Sequence, residues 1–305
     1  MIVIAGGTGF LGRPLAIALA ADGHRVTVLT RKRPLGIASD SVAHVEWHPE
    51  DERGAWTKVI DGAEAVVNLA GESIASGRWT AGRKARLVES RLRTTRSLAA
   101  AIAAATTPPA VFVSASAIGY YGDRGAEVLT EASPPGTDFL ADLCVQWERE
   151  ATRVSSSRTR VALIRTGIVL DTAGGALAKM LPPFKAFVGG PLGSGRQYMS
   201  WIHLKDWVRL AGWMVRTERA SGPINATAPG PVTNREFSNV LGATLHRPNL
   251  LPAPGFALRL LLGEMAGPLL LASQRVMPTR AEQLGFEFSY ARLEPALRSL
   301  FVRQR

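Results

Sequence analysis

Short apolar runs alternate with segments of helical period from the first residues onward. Residues 2–5, 26–30, 42–47, 65–70 and 110–116 read as strands, rich in Val, Ile and Ala and bounded by turn residues. Between them, 11–21 and 80–105 carry helical spacing, the second ending ahead of Pro108 and Pro109. A helix over 138–154 and a strand over 160–166 complete six strands within the first 170 residues. This alternation of strands with helical segments predicts a doubly wound α/β fold on a parallel sheet.

Beyond residue 170 the pattern loosens. Gly174-Gly175, Pro182-Pro183, Gly189-Gly190-Pro191 and the glycines at 193 and 195 predict a loop-rich region on the substrate side. Helices resume over 206–217 and 234–245, with a strand at 223–227 that could rejoin the sheet, and a Leu-rich segment follows Pro248. The expected division is 1–170 for the nucleotide-binding domain and 171–305 for a smaller C-terminal α/β substrate region interleaved with it. The apolar run 256–272 is interrupted by Arg259, Glu264 and Pro268, so it predicts an amphipathic or buried helix rather than a membrane span, with a membrane-surface role as the lesser alternative.

Composition narrows the functional classes. At 305 residues, 46% hydrophobic and 20% charged, the chain is an ordinary globular one. One cysteine, Cys144, excludes an internal disulfide and a cysteine metal cage, and points to a reducing, cytoplasmic setting. The five histidines show no ligand spacing, so no metal site is expected. The opening residues run straight into a glycine loop and read as a strand rather than a secretion signal. The net charge of +11 is uneven: residues 1–150 hold 16 Lys+Arg against 17 Asp+Glu, and residues 151–305 hold 20 against 8. That half is either a solvated basic surface or a cleft that attracts an anionic small molecule. No run of five or more like charges and no zinc-finger or RNA-binding signature supports nucleic-acid binding.

The chemistry concentrates at strand ends. Gly6, Gly9 and Gly12, with Thr8, Phe10 and Leu11 between them, form a G-x-x-G-x-x-G loop between a strand and a helix. Glycine there permits the tight turn, lets backbone N–H groups approach a pyrophosphate, and allows close helix packing. An NAD-binding chain places an acid about 20 residues on, at the end of the second strand. Here Arg31, Lys32 and Arg33 follow Thr30, a pattern suited to the 2′-phosphate of NADP(H). The fourth strand ends in Asn68-Leu69-Ala70-Gly71-Glu72, small residues beside a bound cofactor. The fifth ends in Ser114-Ala115-Ser116-Ala117-Ile118-Gly119-Tyr120-Tyr121-Gly122, which brings two hydroxyls and two phenols to the same edge.

These motifs, together with FLADLCVQWE, RTGIVL and GSGRQYMSWIH, resemble the extended, atypical branch of the short-chain dehydrogenase/reductase superfamily. Within it they are similar to an epimerase-like group with nucleotide-sugar-epimerase-related and cell-division-inhibitor-like members and a C-terminal domain of unknown function. The resemblance implies a Rossmann fold in which Gly6 to Gly12 bind pyrophosphate and Arg31 binds the 2′-phosphate. It also implies that Leu69, Ala70, Gly71 and Glu72 meet the riboses, with Ser114 nearby, and that Ser116 is the active-site serine.

One departure stands out. Catalytic members carry Tyr-x-x-x-Lys on the helix after strand five, and these positions fall on Leu140 and Cys144, which can neither transfer a proton nor hold a ribose as lysine does. Tyr120 and Tyr121 are the nearest phenols, and Tyr121 is the candidate proton donor. Two readings therefore stand: an NADP(H)-dependent oxidoreductase or epimerase of unknown substrate, or a cofactor-binding regulatory or scaffold protein. Secondary candidates are an anion site formed by Gly193 to Gln197 with Lys179 and Arg165, and a capping role for His203. The helix over 83–96 carries six cations against Glu89 alone, and leaves the oligomeric state open.

Overall fold

The computed structural model describes residues 1–31, 41–51 and 54–301. Seven strands form one sheet: β1 (Ile2–Ala5), β2 (Val26–Thr30), β3 (Val42–Glu46), β4 (Ala65–Asn68), β5 (Val111–Ala117), β6 (Arg160–Thr166) and β7 (Gly222–Ala226). Their spatial order is β7-β6-β5-β4-β1-β2-β3, and every pairing is parallel. The order reverses between β1 and β4, which opens a crevice at the carboxyl ends of those strands.

Strand period explains why both faces are apolar. Ile2 and Ile4 point into one core with Leu15, Leu19, Leu210 and Met214 of α1 (Gly12–Ala21) and α5 (Leu204–Arg216). Val3 and Ala5 point into the opposite core with Leu98 and Ile102 of α2 (Ala81–Ala104) and Ala151 of α3 (Phe139–Thr152). Caps set the helix starts. The Thr80 side chain accepts from Arg83 N at α2, and Asp138 Oδ1 accepts from Ala141 N at 2.9 Å at α3.

Two expectations change. Instead of loop, α4 (Gly175–Lys185) forms with Pro182 and Pro183 inside it, because Leu177, Leu181 and Phe184 bury against Phe237 and Leu241 of α6 (Asn234–Leu245). Tertiary packing outweighs the local preference of the prolines. The Leu-rich segment is not one continuous buried helix either. Gly263, at φ +68°, ends α7 (Gly255–Leu262), and two short irregular turns carry the chain on to Leu271. No residue of α7 is buried.

Small pairings tie the C-terminal region to the sheet edge. Ile168–Asp171 pairs with Trp201–His203, and Val128–Leu129 with Arg275–Val276. Among the described residues no helix is long and apolar enough to cross a membrane.

Candidate functional site

The glycine loop is built by close approach. A Cβ on Gly6, where φ is +78°, would stand 2.7 Å from the Leu69 carbonyl carbon, so β1 and the chain leaving β4 meet there without a side chain between them. A Cβ on Gly12 would stand 2.2 Å from the Gly6 carbonyl oxygen, so α1 starts against the loop itself. Thr8 and Gly9 remain exposed between these fixed points. Leu11, the N-cap of α1, provides no side-chain acceptor, the first turn holds no acid, and Arg13 lies exposed in it. That is a positive helix end with room for an anion. Phe10 turns elsewhere: a Cβ on Gly174 would come within 2.6 Å of its ring, so Phe10 fastens the loop to the segment ahead of α4. Leu11 packs partly buried on the core.

Arg31 is exposed immediately after β2, whose Leu29 lies in register with Ala5 at the loop's foot. It forms no ion pair among the described residues, and Lys32 and Arg33 lie outside them.

At the end of β4, Leu69 N donates to Ala5 O at 2.8 Å, and Ala70 N donates to Asn68 Oδ1 at 3.2 Å. Asn68 is fixed in turn through its Nδ2 to Thr95 Oγ1 of α2. A Cβ on Gly71 would meet the Arg91 side chain at 3.3 Å, while Arg91 Nη2 donates to Glu72 O at 3.0 Å. The Glu72 carboxylate bonds Arg83 and lies 3.8 Å from Arg86, so it serves the basic face of α2. That helix is less unbalanced than its own sequence indicates. Glu264 pairs with Lys84 and Glu150 with Arg96, both from distant segments.

The end of β5 carries a buried polar network. Ser116 Oγ donates to Glu148 Oε1 of α3 at 2.6 Å. Arg165 of β6 donates from Nε to Glu148 Oε1 and from Nη2 to Oε2, each at 2.8 Å, and from Nη1 to Tyr121 Oη at 3.0 Å. Tyr121 Oη donates to Asn225 Oδ1 of β7 at 2.7 Å. Burial pushes the Tyr121 phenol up to about 12 against the opposing pull of Arg165. Burial alone would lower the Arg165 guanidinium, and its bonds to Glu148 reverse that and hold it above its ordinary value. The hydroxyl of Tyr121 both accepts and donates inside the protein, and the residue is 0% exposed. The Tyr120 ring lies 3.5 Å under the Arg165 guanidinium. Ser114 is also 0% exposed, two residues deeper in β5 than Ser116, with no hydrogen-bond partner for its Oγ among the described residues.

Leu140 and Cys144 occupy the first turns of α3. Leu140 packs in an apolar cluster with Trp79, Leu87 and Met265, and Cys144 Sγ lies 3.7 Å from Ala117 O. Burial pushes the Cys144 thiol up to about 12. The expected anion site does not assemble from its named members. Arg165 is committed to Glu148, Lys179 Nζ donates to Ala75 O, and Gln197 Nε2 donates to Leu192 O and Leu270 O, leaving Arg196 exposed. His203 caps α5, with Nδ1 accepting from Lys205 N at 3.0 Å. No metal-binding cluster occurs among the described residues.

Sequence reasoning missed Thr95, Glu148 and Asn225, and gave Asn68 no role of its own. A usable signal existed, because Asn68, Arg165 and Asn225 are polar interruptions near the carboxyl ends of otherwise apolar strands.

Residues 2–226 match the model of the NAD dependent epimerase/dehydratase family, and residues 253–300 match a domain of unknown function, DUF1731. The chloroplastic epimerase family protein SDR39U1 homolog of Arabidopsis thaliana is 44% identical over 98% of this chain and 86% of its own. The Bos taurus epimerase family protein SDR39U1 is 36% identical over 99% of both. The crystal structure of the human SDR39U1 protein with NADPH superposes with a TM-score of 0.90, at 34% identity and 98% coverage of each chain. By sequence and fold together, this chain belongs to the NAD dependent epimerase/dehydratase family, as a relative of the SDR39U1 epimerase family proteins.

Proposed function

We propose that the chain is an NADPH-dependent oxidoreductase or epimerase acting on a small carbonyl or alcohol substrate. One observation carries this reading. The cradle of Gly6, Gly9 and Gly12 faces an uncapped, acid-free start of α1, with Arg13 and Arg31 exposed beside it. The loop suits a dinucleotide, since a Cβ at Gly6 or Gly12 would collide with the backbone of Leu69 or of Gly6 and break the tight turn that presents its N–H groups, and the two cations suit a 2′-phosphate. The human relative determined with NADPH supports the same assignment.

In this reading Gly6 to Gly12 hold the pyrophosphate, Arg31 selects the phosphorylated ribose, and the backbone of Leu69, Ala70 and Gly71 borders the adenosine and nicotinamide riboses. Bound NADPH would supply a hydride to a carbonyl carbon, and bound NADP+ would accept one from a carbinol carbon. The Ser116 hydroxyl donates its hydrogen bond to Glu148, which leaves its oxygen to accept one from the hydroxyl of an alcohol substrate and orient it. Arg165, Tyr121 and Asn225 act as positioning residues that hold Glu148, and so Ser116, in place. Tyr121 is assigned to this framework rather than to proton transfer. We also keep residues 1–170 as the nucleotide-binding part, with β7 returning from the C-terminal region, and place the chain in a reducing compartment such as the cytoplasm.

Leu140 and Cys144 favour a second reading, in which the protein binds NADPH and regulates a partner with little turnover. Titration with NADPH followed by nicotinamide fluorescence, and then a screen of carbonyl compounds and sugars, separates the two. Binding with turnover of any substrate upholds the enzyme, binding with no turnover across the panel selects the regulator, and no binding refutes both.

A further inference from the structure

The geometry points to a docking face for an anionic lipid surface, centred on α7. Phe256, Leu260 and Leu261 are 74%, 78% and 70% exposed on this helix. At 100° per residue they occupy one continuous arc with Arg259 at its border, while Leu258 and Leu262 lie on the other side. Large apolar side chains on the solvent face of a helix, edged by arginine, are the pattern of a helix lying in a membrane interface.

The patch extends past the helix. Leu250 and Leu251 are exposed just before it, and Leu251 N donates to Gly189 O, which brings this segment beside the exposed Phe187. Arg247 lies 4.5 Å over the Phe187 ring, so here too a cation stands at the edge of apolar surface. The helix is anchored from beneath, since Arg78 donates to the carbonyls of Leu260 and Leu261 and Met265 is buried against Trp79. Its outer side chains are held outward on a fixed platform.

Charge decides the occupant. No Asp or Glu occurs over 172–205 or 237–263, the two segments that build the patch, whereas Lys179, Lys185, Arg196, Arg247 and Arg259 all do. The next acid, Glu264, is paired with Lys84. A second copy docking through this face would set cations against cations, whereas phosphate headgroups would neutralise them as acyl chains receive Phe256 and Leu260. The inference does not depend on the proposed activity.

Vesicle flotation of the full chain tests it, with phosphatidylglycerol/phosphatidylcholine vesicles compared with phosphatidylcholine alone. The expected result is an at least about tenfold preference for the anionic vesicles at low ionic strength that falls as salt rises. Phe256→Glu and Leu260→Glu should each reduce partitioning by about tenfold while the circular dichroism spectrum and melting temperature hold. Val128→Glu, an exposed apolar site elsewhere, should leave it unchanged. Equal partitioning into both vesicle types, no partitioning, or insensitivity to both α7 substitutions would overturn the proposal. So would a solution dimer that Leu260→Glu dissociates.

Discussion

Arg165 and Glu148 close a two-bond fork inside the protein, with side chains only 4% and 10% exposed, and Ser116 and Tyr121 both hang from it. A fork of this kind depends on both partners, because removing one strands a buried charge. Arg165→Met should lower stability by about 3–5 kcal/mol, whereas Arg165→Met with Glu148→Leu should recover most of the loss. Denaturant titration of the three variants checks this.

Tyr121→Phe removes a hydroxyl that accepts from Arg165 and donates to Asn225. Leaving those buried groups without a partner should cost about 1–3 kcal/mol. If Tyr121 serves the buried framework, as proposed, rather than proton transfer, NADPH affinity and any turnover measured on the folded variant should change by less than about threefold. A hundredfold fall in kcat at unchanged stability would restore Tyr121 as the proton donor.

The glycines predict opposite signs at two sites. Gly12→Ala forces a Cβ to 2.2 Å from the Gly6 oxygen, and should destabilise the fold by about 1–3 kcal/mol and weaken nucleotide binding. Gly82→Ala, in the first turn of α2, meets nothing within 4 Å and should be neutral or stabilising by about 0.5 kcal/mol. Thermal melts with and without nucleotide distinguish the two.

His203 should give stability an acid limb. Burial lowers its ring below the usual 6.5, so as pH falls past 6.5 the unfolded chain takes up a proton before the folded one does. The stability it contributes is present above 6.5 and is lost as pH drops toward the lower folded value. Denaturation midpoints at about pH 7.5 and about pH 5.5 should differ more for the wild type than for His203→Asn, which keeps a side-chain acceptor at the α5 N-cap but does not titrate.

The doubly wound sheet was legible because its information is local. Alternation of Ile2, Val3, Ile4 and Ala5 to opposite faces and the spacing from Gly6 to Gly12 are properties of contiguous residues. The β6 bounds fall at 160–166, as the pattern predicts. Non-local pairing was not legible. Nothing near Glu148 in the chain indicates that Arg165 and Ser116 will converge on it, and nothing near α2 indicates that Glu150 and Glu264 will neutralise it. The α4 helix was hidden for the same reason, since Leu177, Leu181 and Phe184 need α6 as a partner before they outweigh two prolines. The Leu-rich segment misled in the other direction, because hydrophobicity alone cannot distinguish a buried helix from one whose apolar arc faces outward at Phe256 and Leu260.

In the proposed function, the loop of Gly6 to Gly12 and Arg31 together form an NADPH site. Its most direct test is fluorescence titration of wild type and Arg31→Glu with NADPH and NADH. Wild type should bind NADPH at least about tenfold more tightly than NADH, and Arg31→Glu should abolish the difference by weakening NADPH alone. Wild-type protein that binds neither nucleotide, or that binds both equally and is indifferent to Arg31→Glu, would contradict it.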